Sequence, residues 1–205
     1  MRRAFDLLTA AVALVLSSPV LLLAAIAIRV ETPGSPIYRQ RRVGLGGREF
    51  EVLKLRTMVD GAEHQGAGLA VTAGDARITR VGRVLRRTSI DELPNLANVL
   101  RGEMSVIGPR PTVPSQVARY TDRQRGRLAV KPGLTGWAQV NGRASLSWDE
   151  RIELDLWYIE HRSARLDAQI IRRTVALVLG GGDVERDGPA WRDPGSRDGS
   201  GTDAE

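Results

Sequence analysis

Residues 14–22 read LVLSSPVLL, two serines and a proline in the middle of an apolar run. The run extends from Leu7 to Ile28 and is interrupted only by Thr9, Ser17, Ser18 and Pro19. As one straight helix it would be ~33 Å long, enough to cross a hydrocarbon core of ~30 Å. A cleaved signal peptide would close a shorter apolar stretch with a small-residue site, whereas here the apolar residues resume after Pro19. The flanks favour a fold-back. Arg2 and Arg3 precede the run and Arg29, Arg39, Arg41 and Arg42 follow it; positive residues stay on the cytoplasmic side, so a simple span would leave one basic end outside. Pro19 lacks an amide donor and clashes with the preceding turn, and the serine hydroxyls can satisfy the backbone groups freed there. The sequence therefore predicts two helical arms, 7–16 and 20–28, each ~15 Å long, meeting at a break at Ser18-Pro19. Such a hairpin enters one leaflet and returns. A Pro-kinked spanning helix is the main competing reading.

At 205 residues the whole chain has room for one ordinary domain plus extras. There is no cysteine, which excludes disulfides, thiolate metal sites and cysteine nucleophiles. His64 and His161 are the only histidines, so any metal would be a hard cation on carboxylates. The net charge is +6, but residues 181–205 carry −4, which leaves +10 on residues 1–180. Lys54 and Lys131 are the only lysines, and the basic character is otherwise arginine. Arginine suits forked recognition of phosphate. Nucleic acid, an anionic membrane face and a phosphorylated small molecule all fit that surface, as does the bland explanation of an arginine-biased genome.

Beyond the apolar run, residues 37–43 (IYRQRRV) and 48–55 (REFEVLKL) flank Gly44-Leu45-Gly46-Gly47 and predict a β-hairpin. Residues 60–75 read as a loop. Leu93, Leu96, Ala97 and Leu100 have helical spacing, and because Pro94 is tolerated only in a first turn the helix should begin near Asp91. Residues 105–114, with three prolines, predict an extended loop, 117–128 a short helix, and 131–143 a turn-rich segment with two or three short extended pieces. Ser147 and Glu150 form a capping-box pattern opening a helix through about Glu160. A last helix, 166–179, carries the stripe Leu166, Ile170, Ile171, Val175 and Val178 and ends at Gly180. It suits packing on the domain better than lying on a membrane surface. Residues 181–205 read as a disordered acidic tail. The fold class is α+β, mainly helical: a membrane hairpin over 1–30, a small cytoplasmic domain with a β-hairpin over 31–180, and the tail.

Four clusters carry candidate chemistry. RVLRRTSIDELPNL (83–96) places Asp91 and Glu92 side by side, shortly after Arg87. Asp91 is either a helix cap or an ionised carboxylate serving as nucleophile or Mg²⁺ ligand, with Glu92 sharing the metal or moving protons. IGPRP (107–111) clamps Arg110 between prolines, which lowers the entropy cost of a phosphate contact; a plain structural turn reads equally well. KLRTM (54–58) puts Lys54 on the face of Phe50 and Val52, where a lysine would be out of place in an apolar core. The fourth cluster is Asn141-Gly142-Arg143. Combined with a membrane-dipping hairpin, they point to a phosphate-rich, lipid-linked substrate. The alternative is a membrane-anchored, non-catalytic arginine-rich binding protein for anionic lipid or nucleic acid. Against nucleic acid, Trp137, Trp148, Trp157 and Trp191 are not interleaved with arginine in one strand.

The segments RRAFD, the central Ser-Pro, YRQRRVGLGGREFEVLKLRTM, DARITRVGRVLRRTSIDELPNLANVLRGEMSVIGPRP and KPGLTGWAQVNGR stand in one order over residues 2 to about 179. In this the sequence closely resembles the bacterial sugar transferases, the small monotopic polyprenyl-phosphate phosphoglycosyltransferases. The resemblance implies a re-entrant helix broken at Ser18 and Pro19 and a catalytic domain on the cytoplasmic face of the cell membrane. It implies transfer of a sugar-1-phosphate from a UDP-sugar to polyprenyl phosphate, as a first membrane step of glycan assembly. By resemblance Asp91 is the nucleophile, forming an aspartyl-phosphosugar with release of UMP, and Glu92 is metal ligand or proton acceptor. Mg²⁺ would be held by Asp91 and Glu92, with Lys54, Arg56, Arg87 and Arg110 as phosphate contacts and Arg143 closer to the nucleotide. Ala97 stands where members often have a bulkier residue. No nucleic-acid partner is implied, and homo-oligomerisation is left open.

Overall fold

The computed structural model describes residues 2–64, 71, 74–142 and 146–180. The apolar run forms one helix, α1 (Arg2–Glu31), with Pro19 inside it. This corrects the expectation of two separate arms, and the serines supply the reason. Pro19 has no N–H for the Val15 carbonyl one turn back, and Ser18 Oγ donates to that carbonyl instead, at 2.8 Å. Ser17 Oγ donates to the Leu14 carbonyl at 3.3 Å. The helix thus carries the proline without leaving a carbonyl bare.

A single stripe of α1 turns towards the rest of the protein: Asp6, Ala10, Ala24 and Ile28 are buried, with Ala13, Leu14, Ser17 and Leu21 half-buried between them. The opposite faces are bare; Leu8, Val15, Leu16, Leu22, Leu23 and Val30 are each more than 60% exposed. Both ends are fastened to the same domain. At the start, Arg3 donates to the carbonyls of Val99 and Leu100 at 2.6 and 2.9 Å. The Asp6 carboxylate accepts from Ser105 Oγ and the Val106 amide, both at 2.9 Å. At the finish, Glu31 accepts from the amides of Arg80 and Val81 at 2.7 and 2.9 Å.

The remaining elements follow in order. The predicted hairpin is β1 (Ile37–Val43) and β2 (Glu49–Leu55), antiparallel, with Tyr38 opposite Lys54 and Arg42 opposite Phe50. Its turn needs left-handed backbone at Gly46 and Gly47 (φ 64° and 81°), which glycine adopts without strain. Helix α2 (Arg80–Thr88), a 3-10 turn (Ile90–Glu92) and helix α3 (Asn95–Arg101) lead to strand β3 (Ser105–Ile107). Where one helix was expected over 117–128, the chain makes α4 (Pro114–Val117), α5 (Asp122–Arg125) and a 3-10 turn (Gly126–Ala129). The Thr121–Gln124 capping box restarts the helical turn at α5 and so divides the segment.

Strand β4 (Gly133–Thr135) pairs in parallel with β3, a second sheet that the extended-loop reading of 105–114 did not anticipate. Three-residue strands show no period in sequence, and their pairing depends on glycine: a side chain on Gly133 would lie 2.1 Å from the Gly108 nitrogen. Helix α6 (Trp137–Val140) precedes α7 (Trp148–His161), whose Ser147–Glu150 capping box forms as predicted. In α8 (Ala164–Leu179) the predicted stripe divides: Leu166 and Ile170 are buried, Val175 and Val178 exposed. The acidic tail and much of the 60–75 loop lie outside the described residues.

The main core gathers Val52, Val99, Met104, Val106, Tyr158 and Ile170, against which Ala10 of α1 packs. Asn98 of α3, fully buried, joins this core to the hairpin. Its Oδ1 accepts the Leu53 amide at 3.2 Å, and its Nδ2 donates to the Glu51 carbonyl at 2.6 Å and to Glu103 at 2.7 Å. The side chain therefore serves the open edge of β2 as a neighbouring strand would. Replacing Asn98 by alanine strands those buried groups, each worth ~1–3 kcal/mol. We expect Asn98→Ala to lose about 2–4 kcal/mol of stability in denaturant titration of the micelle-solubilised protein.

Candidate active site

Asp91 and Glu92 sit in the 3-10 turn between α2 and α3, not in the first turn of a helix as predicted. Ser89 ends α2 with left-handed backbone, φ 57°. Pro94 has no amide to donate back to Ile90, so 3-10 bonds close first, from Glu92 N to Ser89 O and from Leu93 N to Ile90 O, both at 3.2 Å. The α-helix starts at Asn95.

The two neighbouring carboxylates meet opposite surroundings. Glu92 lies between two cations: Lys54 Nζ from β2 at 2.7 Å and Arg110 Nη2 from the loop after β3 at 2.6 Å. Burial alone would raise its pKa, but Arg110 and Lys54 override that and hold Glu92 far below the usual carboxylate range. Asp91 is only 9% exposed, and among the described residues no hydrogen-bond donor reaches it. Burial first, then the charge of Glu92, push it up to about 6, against the opposing pull of Lys54, Arg86 and Arg110. The rise from 3.8 corresponds to roughly 3 kcal/mol against the ionised form. Burial also lowers Lys54, in spite of the Glu92 charge. The result is one carboxylate fully engaged by cations and a second, uncomfortable and unpartnered, next to it.

Beside the pair opens a cleft with about 290 Å³ of empty space, lined by Arg42, Lys54, Glu92, Asn95 and Arg110 among others. Asp91 itself is not part of that lining. Glu92 already carries two cations, and among the described residues no group of three acidic or histidine side chains could form a metal cage. The carboxylate oxygens of Asp91 and Glu92 are the donor type a hard cation such as Mg²⁺ takes.

The family model described as bacterial sugar transferase matches residues 1–181. The chain belongs to the bacterial sugar transferase family. It is 44% identical over 180 residues to an uncharacterized sugar transferase of Bacillus subtilis, covering 87% of each chain. It is 46% identical to a UDP-glucose:undecaprenyl-phosphate glucose-1-phosphate transferase of Caulobacter vibrioides, over 87% of this chain and 69% of that one. It is 43% identical to a UDP-N-acetylgalactosamine-undecaprenyl-phosphate N-acetylgalactosaminephosphotransferase of Aeromonas hydrophila, over 88% of this chain and 44% of that one.

In this sugar transferase the structure brings Asp91, Glu92, Lys54 and Arg110 together, and it separates the other candidates. Arg56 is buried and spent on structure, donating to the carbonyls of Pro33 at 2.6 Å and Thr32 at 3.0 Å, where the chain leaves α1. Arg87 is exposed on α2; its neighbour Arg86 is the α2 charge felt by Asp91, and donates to Thr57 Oγ1 at 2.9 Å. Arg143 lies outside the described residues. Ser18 and Pro19 belong to α1.

Three cleft or site residues escaped the sequence reading: Arg42, Arg86 and Asn95. Arg42 could have been found from the hairpin register, which sets it opposite Phe50 on the face of Lys54. Asn95 is 3% exposed and its Oδ1 has no partner, a signal visible only in three dimensions.

For the metal-free transferase, carboxyl NMR should find an Asp91 midpoint near 6. Glu92→Gln should move it down, since the second cause of the rise is removed while Lys54, Arg86 and Arg110 still pull the same way. Because the folded pKa of Asp91 exceeds its unfolded value, its contribution to stability falls as pH rises from about 4 to about 6. The depressed Glu92 acts in the opposite sense, stabilising above about 4.3 and losing that contribution as pH falls.

Proposed function

We propose that this protein transfers a sugar-1-phosphate from a UDP-sugar to undecaprenyl phosphate, with Asp91 as nucleophile. The observation that carries the proposal is the divided pair: Glu92 neutralised by Lys54 and Arg110, and Asp91 buried with no hydrogen-bond donor on its oxygens among the described residues. A carboxylate that is poorly solvated and unpartnered is a better nucleophile than one held in an ion pair. The names of the Caulobacter and Aeromonas relatives, both undecaprenyl-phosphate sugar-phosphate transferases, support the same donors and acceptor.

In the first step an Asp91 oxygen bonds to the β-phosphorus of the donor. The bond from that phosphorus to the bridging oxygen breaks, and UMP leaves with the electron pair. In the second step an oxygen of undecaprenyl phosphate bonds to the same phosphorus and displaces the Asp91 carboxylate, giving a diphosphate-linked lipid sugar. Lys54 and Arg110, steadied on Glu92, meet the diphosphate charge. Mg²⁺, held by Asp91 together with substrate phosphates and next to Glu92, would neutralise further charge on the transferring group.

The membrane arrangement belongs to the same proposal: α1, continuous but bent at the Ser18–Pro19 step where a proline kinks a helix, enters one leaflet and returns, with the domain on the cytoplasmic face. What supports it is the fastening of both ends of α1, at Arg3 and Asp6 and again at Glu31, to one polar domain. A spanning helix would place those ends on opposite sides of the bilayer.

Incubated with Mg²⁺, UDP-sugars and undecaprenyl phosphate, the wild type should release UMP, and Asp91→Asn should fall by at least ~10³-fold. Intact-protein mass without lipid should reveal a phosphosugar adduct on Asp91; an asparagine variant within tenfold of wild type would remove Asp91 as nucleophile. The absence of native cysteine makes topology directly readable. Ala4→Cys and Ser35→Cys should both resist a membrane-impermeant maleimide in intact cells and both react in inverted vesicles. Labelling from opposite sides would mean a span.

A further inference from the structure

The loop that carries Arg110 has four consecutive carbonyls, and they are held by three separate parts of the chain: β4, the turn after α5, and the end of β1. The Pro109 carbonyl accepts from the Gly133 amide at 2.8 Å. The Arg110 carbonyl accepts from Arg127 Nη2 at 3.1 Å, the Pro111 carbonyl from Arg42 Nη1 at 3.1 Å, and the Thr112 carbonyl from the Val43 amide at 2.9 Å. Of the two side chains among these four donors, Arg42 borders the cleft. Arg127 is sealed from solvent, 6% exposed, and was singled out by nothing in the sequence.

Arg127 comes from the 3-10 turn after α5 and is gripped on every side. Nη2 also donates to Asp155 of α7 at 2.5 Å, and Nη1 donates to Tyr120 Oη at 2.5 Å. Tyr120 Oη in turn meets Thr112 Oγ1 at 3.0 Å, back in the Arg110 loop. The guanidinium lies 5.8 and 5.6 Å from the ring centroids of Tyr120 and Trp148. A guanidinium buried with one carboxylate is a poor route to stability, because desolvation of both ions offsets their attraction. Here the compensation is also incomplete, since Arg127 Nε and Asp155 Oδ1 have no partner among the described residues. Apolar side chains of similar size would fill the space at less cost. What they could not do is hold the Arg110 carbonyl and the Tyr120–Thr112 link at the same time.

We propose that Arg127, oriented by Asp155, is a positioning residue that fixes the loop at Arg110 and so sets the Arg110 guanidinium on Glu92. It touches neither carboxylate of the pair and acts through the loop backbone. The proposal rests on the reading of Glu92 and Arg110 as parts of the active site.

The test compares Arg127→Lys and the double variant Arg127→Met/Asp155→Leu with the wild type, and uses Arg123→Ala, which breaks only the exposed Arg123–Glu153 pair, as control. Three quantities are read on the full chain in micelles: the melting temperature, kcat and KM for the UDP-sugar, and the guanidinium Nε–H NMR signal of Arg110, assigned by its loss in Arg110→Lys. The double variant should melt within about 3 °C of wild type or above it. Its kcat should drop at least tenfold, with the larger effect on kcat rather than KM, and its Arg110 signal should be lost to rapid exchange. Arg127→Lys keeps a charge beside Asp155 but cannot make all three bonds; it should show the same losses and covers the case of a double variant that does not fold. A wild-type Arg110 signal in either folded variant overturns the proposal, as does a lost signal with wild-type kcat. A wild type without turnover would refute the transfer reading instead, while the Arg110 signal would still decide the positioning role.

Discussion

The carboxylate of Glu92 is the point at which separate parts of this chain converge. It receives Lys54 from the end of the hairpin and Arg110 from the loop after β3, segments that share no secondary structure. Without Glu92, two cations would face each other across the cleft with nothing between them. With it, they are held and partly neutralised, and Asp91 is left without a partner among the described residues. The rise of Asp91 and the depression of Glu92 have one origin: two adjacent carboxylates, one supply of positive charge, and a geometry that gives nearly all of it to the second.

That geometry has to be rigid, and the scaffold spends buried polar groups to make it so. Asn98 joins α3 to the edge of β2, so the turn bearing Asp91 cannot drift from the strand bearing Lys54. The carbonyls around Arg110 are held one by one. Helix α1 is tied into the same frame, because Arg3 caps the carbonyls at the end of α3 while the carboxylate pair stands just before its start. A short helix of seven residues thus connects the apolar helix to the chemistry.

Much of this was open to reading in one dimension. The apolar run, the hairpin, the Ser147 capping box and the last two helices have periods or end signals set by local sterics and solvation, which act within a few residues. The carboxylate pair was also legible, and Lys54 and Arg110 were legible as candidates, because a lysine on an apolar face and an arginine between prolines are locally anomalous. Arg56 and Arg87 mark what local pattern leaves undecided: an arginine close in sequence to a site looks the same whether it faces the site, caps a chain turn or points to water. Pro19 misled in a subtler way. The proline predicts a break, and the helix instead runs on through it, with the Ser17 and Ser18 hydroxyls bonded one turn back, a pairing that bends a helix rather than ending it.

The sequence by itself determined the apolar helix, the family, and the residue types available for phosphate chemistry, since composition and short-range pattern carry those directly. Tertiary structure alone decided which cations serve Glu92, that the α2 charge acting on Asp91 is Arg86, that β3 and β4 pair, and that Arg127 supports the Arg110 loop from within. The physical reason is range. Helical period and turn chemistry are settled between residues a few positions apart, whereas ion pairs, orphaned acceptors such as Asn95 Oδ1, and the burial that shifts a carboxylate arise between segments tens of residues apart. Those meet only after the core around Val99, Met104 and Tyr158 has closed.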